Sequence, residues 1–346
     1  MTSRPWIKSP AWDTAFIALP WLPLAVLLLV GLDDIHQRPD EAEHWATILF
    51  LGLGALDMGH RLYTFPMAYA DRSVFRRHRV RLLVAPLVVA AVLVPVRVLG
   101  VSDALTRGLV TAMVLWNLWH VYMQRIGFLR IYAGKLGGAL RESRAAWLDR
   151  ALVWGLLAFT IVLGVVVLGE AARSTGDGRR LVALLGPVVE GRAALAVTAV
   201  AVVALGLLWL WLRQEGGVQA PWPERVPRVA FAASTAALVL LPLWSPLIGV
   251  ACLKFSHAVE YIAFVHVYEA AKFRRLESDR SVLARLMRRP WLAVPLFFLL
   301  FCVLFTLADL PAYMVMFVAP LHFLYDGWIW KVRRAEVRAP LSAASA

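Results

Sequence analysis

Four apolar segments of this chain each carry a histidine with an acid or an amide three or four residues away: Asp57-Met-Gly-His60, Asn117-Leu-Trp-His120, His257-Ala-Val-Glu260 and His322-Phe-Leu-Tyr-Asp326. On a helix, spacings of three and four place both members of a pair on one face. An ionisable group at the centre of a membrane helix costs about 2.5 to 3.5 kcal/mol on insertion scales, so four such pairs require a return. Metal binding supplies it, because a cation neutralises the carboxylates and takes the imidazole lone pairs. The expected ligands are His60, His120, His257 and His322, with Glu260, Asp326 and Asp57 bridging or balancing charge. Such a set suffices for two ions with open positions. No separate catalytic acid, base or nucleophile is identified.

Other side chains near these pairs are expected to orient ligands. Asn117 and Gln124, the latter one turn beyond His120, fit that role, as do Tyr261 and Tyr325. His266 lies nine residues after His257, which at 100° per residue puts it on the opposite face. It pairs more readily with Glu269, as an outlying ligand or proton relay. Against the metal reading, a histidine in a membrane helix can simply hydrogen-bond a neighbouring helix, and Arg61 stands ready to neutralise Asp57. Lys254, one turn before His257, either extends outward or partners a buried charge. His36 and His44 fall in an outer loop and a span edge, and His78 among arginines, so all three are expected to be exposed.

The elements that must hold these residues follow from composition. The chain is 60% hydrophobic and 17% charged, with a mean hydropathy of +0.67, and it contains repeated apolar runs near the roughly 20 residues that a bilayer demands. The fold class is all-α, a polytopic transmembrane helical bundle forming one integral membrane domain over 1–346, with tails at 1–13 and 332–346. About ten spans are expected, near 14–32, 44–66, 82–100, 105–128, 151–169, 193–212, 229–245, 248–271, 292–308 and 312–331. Loop 33–43 is acidic, whereas 72–81, 130–150, 213–228, 272–289 and 331–338 are basic. The alternation places both termini in the cytoplasm, with 170–192 a mixed case on the outer side. The net charge of +13 is thus spent on topology, and no interleaved basic and aromatic surface is left for nucleic acid. Cys252 and Cys302 sit apart in apolar segments, as packing residues rather than a disulfide or zinc pair. On this topology the pairs lie on the second, fourth, eighth and tenth spans and can share one layer in the cytoplasmic half of a bacterial inner membrane.

Several chemistries lack their motifs. There is no His-Glu-x-x-His, no Gly-x-Ser-x-Gly and no Walker-type loop. The clustered histidine boxes of membrane desaturases and hydroxylases are missing too. The element His322-Phe-Leu-Tyr-Asp326, of His-x-x-x-Asp form, and the segment Phe255-Ser-His257 resemble motifs of the bacterial β-carotene-cleaving dioxygenase family (Brp/Blh type). The likeness covers these two stretches, and Asp57-Met-Gly-His60 runs in the opposite order. It implies an integral membrane iron enzyme with histidines scattered over several helices.

The expected function is a membrane-embedded non-haem oxidoreductase, with two irons, that hydroxylates, desaturates or cleaves a fatty acyl chain, carotenoid or other isoprenoid. Membrane lipids surround it, the lipophilic substrate enters laterally, and a cytoplasmic donor supplies electrons near the basic loops. Two alternatives stay open, a b-type haem electron carrier and a metal or proton transporter, and another divalent metal is the alternative to iron as cofactor. A metal centre requires the ligand atoms to fall within about 8 Å of a common point.

Overall fold

The computed structural model describes residues 5–37, 39–98, 103–167, 192–244, 246–275, 281–289, 296, 311–331, 334, 337 and 339–341. The expected span 292–308, apart from residue 296, and the loop 170–192, apart from residue 192, lie outside them, as does Cys302. The described residues are helical, with no strands. In chain order the α-helices are α1 (Pro10–Asp13), α2 (Trp21–Gln37), α3 (Pro39–Tyr69), α4 (Arg72–Val98), α5 (Asp103–Leu136), α6 (Ser143–Val167), α7 (Ala193–Gly216), α8 (Trp222–Trp244), α9 (Pro246–Arg275), α10 (Val282–Met287) and α11 (Pro311–Ile329).

Five helices are long and apolar enough to cross a membrane, with stretches at 72–95, 143–163, 193–216, 222–242 and 248–274. The number rises to six if the bent pair Pro10–Ala18 and Trp21–Gly31 is one span. Helices α3 and α5 have 31 and 34 residues, ample length, but histidines and charges interrupt their apolar character. Two loops expected from charge are helical instead. Of the acidic stretch, 33–37 close α2 and 39–43 open α3, and the basic stretch 72–81 forms the first turns of α4. Charge marks where a chain meets water, and a helix longer than the bilayer core can carry that charge without unwinding. One consequence corrects an expectation: His78 is buried on α4, with Arg334 at 3.5 Å from its Nε2.

The chain divides into two compact units, each built from separated stretches. Unit 1 comprises 1–14 and 104–253, and unit 2 comprises 15–103 and 254–346. In unit 1, α6 packs along α7. Gly155 leaves room for the tip of the Leu207 side chain, since a Cβ there would meet Leu207 Cδ1 at 2.7 Å. The N-terminal segment is pinned by Asp13, whose carboxylate accepts from the backbone of Ile7 and Lys8 and from the Tyr132 hydroxyl.

A buried charge knot ties four helices of unit 1 together. The Arg228 guanidinium on α8 donates to Asp149 on α6 at 2.6 and 3.1 Å, to Glu215 on α7 at 2.6 Å and to the Leu129 carbonyl on α5 at 2.9 Å. Arg130 and the Trp211 indole N–H complete the shell of Asp149, each at 2.9 Å. Burying these ions is costly alone, and their pairing offsets much of it, although Glu215 Oε2 has no hydrogen-bond partner among the described residues.

In unit 2, α11 packs against α3 and α4, which also touch each other. Met58 of α3 and Val318 of α11 form an apolar contact flanked by Ala55, Leu62 and Phe65. Tyr325 turns to α4, bonding the Tyr69 hydroxyl at 2.5 Å near the Leu82 carbonyl, to which Tyr69 also donates. These contacts fix the rotation of α3 and α11, and with it the direction of the histidines they carry.

Candidate metal centre

Helix α3 presents Asp57, His60, Arg61 and Thr64 on one face, because their separations are three and four residues. Helix α9 does the same with Ser256, His257, Glu260 and Tyr261, and α11 with His322 and Asp326. All of these lie in unit 2. His60, His257 and His322 are buried at 1%, 2% and 0% exposure, and each offers one atom to a group whose members lie within 4.8 Å of one another. Their rings meet edge to face, with centroids 4.8 Å apart for His60 and His257 and 4.9 Å for His60 and His322. Three imidazole nitrogens spaced evenly around one first-row ion, each at about 2.1 Å, are about 3.6 Å apart, so loading draws the three donors together by on the order of 1 Å.

A hydroxyl relay orients the third imidazole. Thr64 Oγ1 lies 2.7 Å from His322 Nδ1, 2.6 Å from the Tyr261 hydroxyl and 3.3 Å from Asp326 Oδ1. Tyr261 donates to the same Asp326 oxygen at 2.8 Å. With the Tyr261 proton directed to Asp326, Thr64 donates to the Tyr261 oxygen and accepts from His322 Nδ1–H. That tautomer leaves Nε2 as the lone-pair atom of the ring. Asp326 Oδ2 stands 3.6 Å from it, beyond hydrogen-bond length and suited to two donors that share a cation.

Two further expected ligands, Asp57 and Glu260, already have partners of their own. Asp57 accepts from Arg61 at 2.6 Å and lies 3.8 Å from His60 Nδ1, so its charge is balanced by the guanidinium. Glu260 is fully buried and accepts from the Ser256 hydroxyl, one helical turn earlier, at 2.5 Å. His120, buried, and Asn117 and Gln124, half-buried, follow one face of α5 in unit 1. His266 is buried on α9, and both carboxylate oxygens of Glu269 are buried without a hydrogen-bond partner among the described residues. Lys254 is exposed, which favours outward extension over a buried charge pair. Tyr325 serves the α4 contact described above, while Tyr261 belongs to the relay.

Sequence reasoning passed over Thr64 and Ser256. Both carried a usable signal: Thr64 lies four residues after His60, and Ser256 four before Glu260, each on the face of its ligand. Their neutral hydroxyls drew no notice beside the ionisable groups. No family model matches the chain, no curated protein matches it, and neither does any solved structure.

Proposed function

We propose that the chain is a membrane-embedded non-haem metal oxidoreductase whose ion is held by His60, His257 and His322, with Asp326 beside them. One observation carries the reading: three buried imidazoles from three helices converge, and Thr64, bonded to Tyr261, holds one of them by its Nδ1. Imidazole and carboxylate donors together suit iron over structural zinc, and bound iron would supply redox and Lewis-acid chemistry at open positions. The trio accounts for one ion. A second iron would draw Glu260 away from Ser256 and Asp57 away from Arg61.

The chain's own residues suggest how a substrate is treated. Met58, Leu62, Phe65 and Val318 form an apolar neighbourhood on the same helices, which favours a fatty acyl, carotenoid or isoprenoid substrate delivered from the bilayer. Tyr261 holds its proton against Asp326, and Thr64, bonded to Tyr261, keeps the imidazole oriented. The likeness of His322 to Asp326 to the β-carotene-cleaving family points the same way, as class-level analogy. A b-type haem is less well supported, because the edge-to-face contacts of His60 with His257 and His322 leave no slot for a planar macrocycle between them.

Metal analysis and absorption spectroscopy of the detergent-purified protein test the reading. About one equivalent of iron per chain, without haem bands, is expected. His60→Ala, His257→Ala and His322→Ala should each lose it, while His266→Ala retains it. Equal metal content in all four variants, or a haem spectrum, would overturn the assignment.

A further inference from the structure

Unit 1 holds a cavity of about 800 Å³ where α5 leads into α6 and α7 into α8. None of its lining residues belongs to the metal centre. Gly137 and Gly138, with φ of 75° and 53°, make the tight exit from α5 that forms one wall; only glycine adopts such a pair of left-handed residues cheaply. The apolar stretches 143–163 and 193–216, each long enough to cross a membrane, both have an end here, so the cavity sits where their apolar lengths stop. Trp147 and Leu210, 57% and 41% exposed, continue its wall along the two apolar helices.

The polar lining is rich in donors. Arg144 and Arg213 project from different helices, both exposed, and among the described residues neither is in an ion pair; Arg213 lies over the Trp209 ring. Gln214 adds an amide whose Nε2 is buried and meets no acceptor among the described residues. A single carboxylate, the exposed Glu142, opposes two guanidiniums. An unsatisfied buried donor is costly, and the group that satisfies it beside two arginines is an anion with several acceptor oxygens. The apolar wall beneath calls for a chain attached to that anion.

We propose that this cavity binds an anionic phospholipid, with the phosphate between Arg144, Arg213 and Gln214 and an acyl chain lying along Trp147 and Leu210. Its volume falls within the range of small-molecule sites. Lipid binding at this place is independent of the metal reading, since it involves other residues and the other unit.

Native mass spectrometry of the full chain, with phosphatidylglycerol or phosphatidylcholine of the same acyl composition, provides the test. The wild-type protein should retain phosphatidylglycerol in preference to phosphatidylcholine, and the double variant Arg144→Gln with Arg213→Gln should weaken that retention about thirtyfold, the effect of two arginines near a membrane surface. Gln214→Leu should weaken it with no change of net charge, which separates the donor from general attraction. The exposed pair Arg76→Gln with Arg79→Gln on α4 is the control. An equal loss in the control reveals unspecific charge attraction and overturns the site. Binding of glycerol phosphate as tight as that of the lipid overturns the lipid as occupant and leaves a site for a soluble phosphate ester. Thermal unfolding of each variant confirms that retention is compared between folded proteins.

Discussion

Replacing Thr64 by valine removes one hydroxyl from the relay and leaves the shape of the side chain nearly intact. The substitution opens no cavity, so its effect reads the hydrogen bonds alone. Thr64 Oγ1 contacts His322 Nδ1 at 2.7 Å and the Tyr261 hydroxyl at 2.6 Å. Tyr261 keeps its bond to Asp326 at 2.8 Å, so the larger loss falls on His322, whose Nδ1–H is deprived of that acceptor. A buried donor left without its partner costs about 1 to 3 kcal/mol. The imidazole can recover part of this by moving its proton to Nε2, toward Asp326 at 3.6 Å, and that tautomer has no lone pair to give to a metal there. Metal binding must then reverse the tautomer. The expected penalty is about 10 to 100-fold in affinity, or about 1.4 to 2.8 kcal/mol. Cobalt(II) titration of the detergent-purified protein, followed by its visible bands and by competition with a chelator, measures it. Thr64→Ser, which restores the hydroxyl, should recover most of the affinity. Wild-type affinity in Thr64→Val alongside complete loss in His322→Ala would refute the relay, as would a serine variant no better than the valine one.

Three further outcomes follow from unit 1. Arg228→Met leaves Asp149 and Glu215 buried without their principal cation and should destabilise the protein by about 3 to 5 kcal/mol, read by chemical unfolding in detergent; a loss under 1 kcal/mol would show that the knot contributes little. Gly155→Val places carbon against Leu207 and should cost about 1 to 3 kcal/mol, and the smaller Leu207→Ala in the same chain should relieve part of that cost; no relief would mean that the clash lies elsewhere. Lys135, at the end of α5 outside the apolar stretch, is pushed down to about 8 by burial, against the opposing attraction of Asp13. Its folded pKa lies below the unfolded value near 10.4, so the unfolded chain binds more protons in between, and this residue's contribution to stability rises with pH from about 8 to about 10.4. Lys135→Met should therefore raise the unfolding temperature at pH 7 more than at pH 10, and a pH-independent difference would contradict the assignment.

The helical class and the placement of His60, His257 and His322 on the same helix faces as Asp57, Glu260 and Asp326 were legible in the sequence, because apolar run length and helical spacing are local properties. The spacing between Asp57 and Arg61 also exposed their pairing in advance. What stayed hidden depends on burial and partnership. Asp149, Glu215, Arg130 and Arg228 looked like boundary charges, since a linear sequence does not reveal that four boundary charges from four helices face one another. The helical state of 72–81 was masked for the same reason: its arginines signal water whether the backbone is looped or coiled. Glu260 was legible as a buried acid but not as the partner of Ser256, because a serine hydroxyl has no signature in hydropathy. The division into two units, assembled from interleaved stretches, has no local signal at all.

The charge knot has a bearing on bilayer thickness. Asp149 and Arg228 lie about two turns inside their helices and Glu215 at the end of its own, so the three ions set the axial register of α6, α7 and α8 against one another. Helices that rely on snorkelling side chains to find the interface can slide or tilt separately when the hydrocarbon layer thins or thickens. Here such sliding would pull a carboxylate away from Arg228 inside the protein. Unit 1 should therefore keep a constant hydrophobic height across membranes of different thickness, leaving the surrounding lipid to compress or stretch to match it.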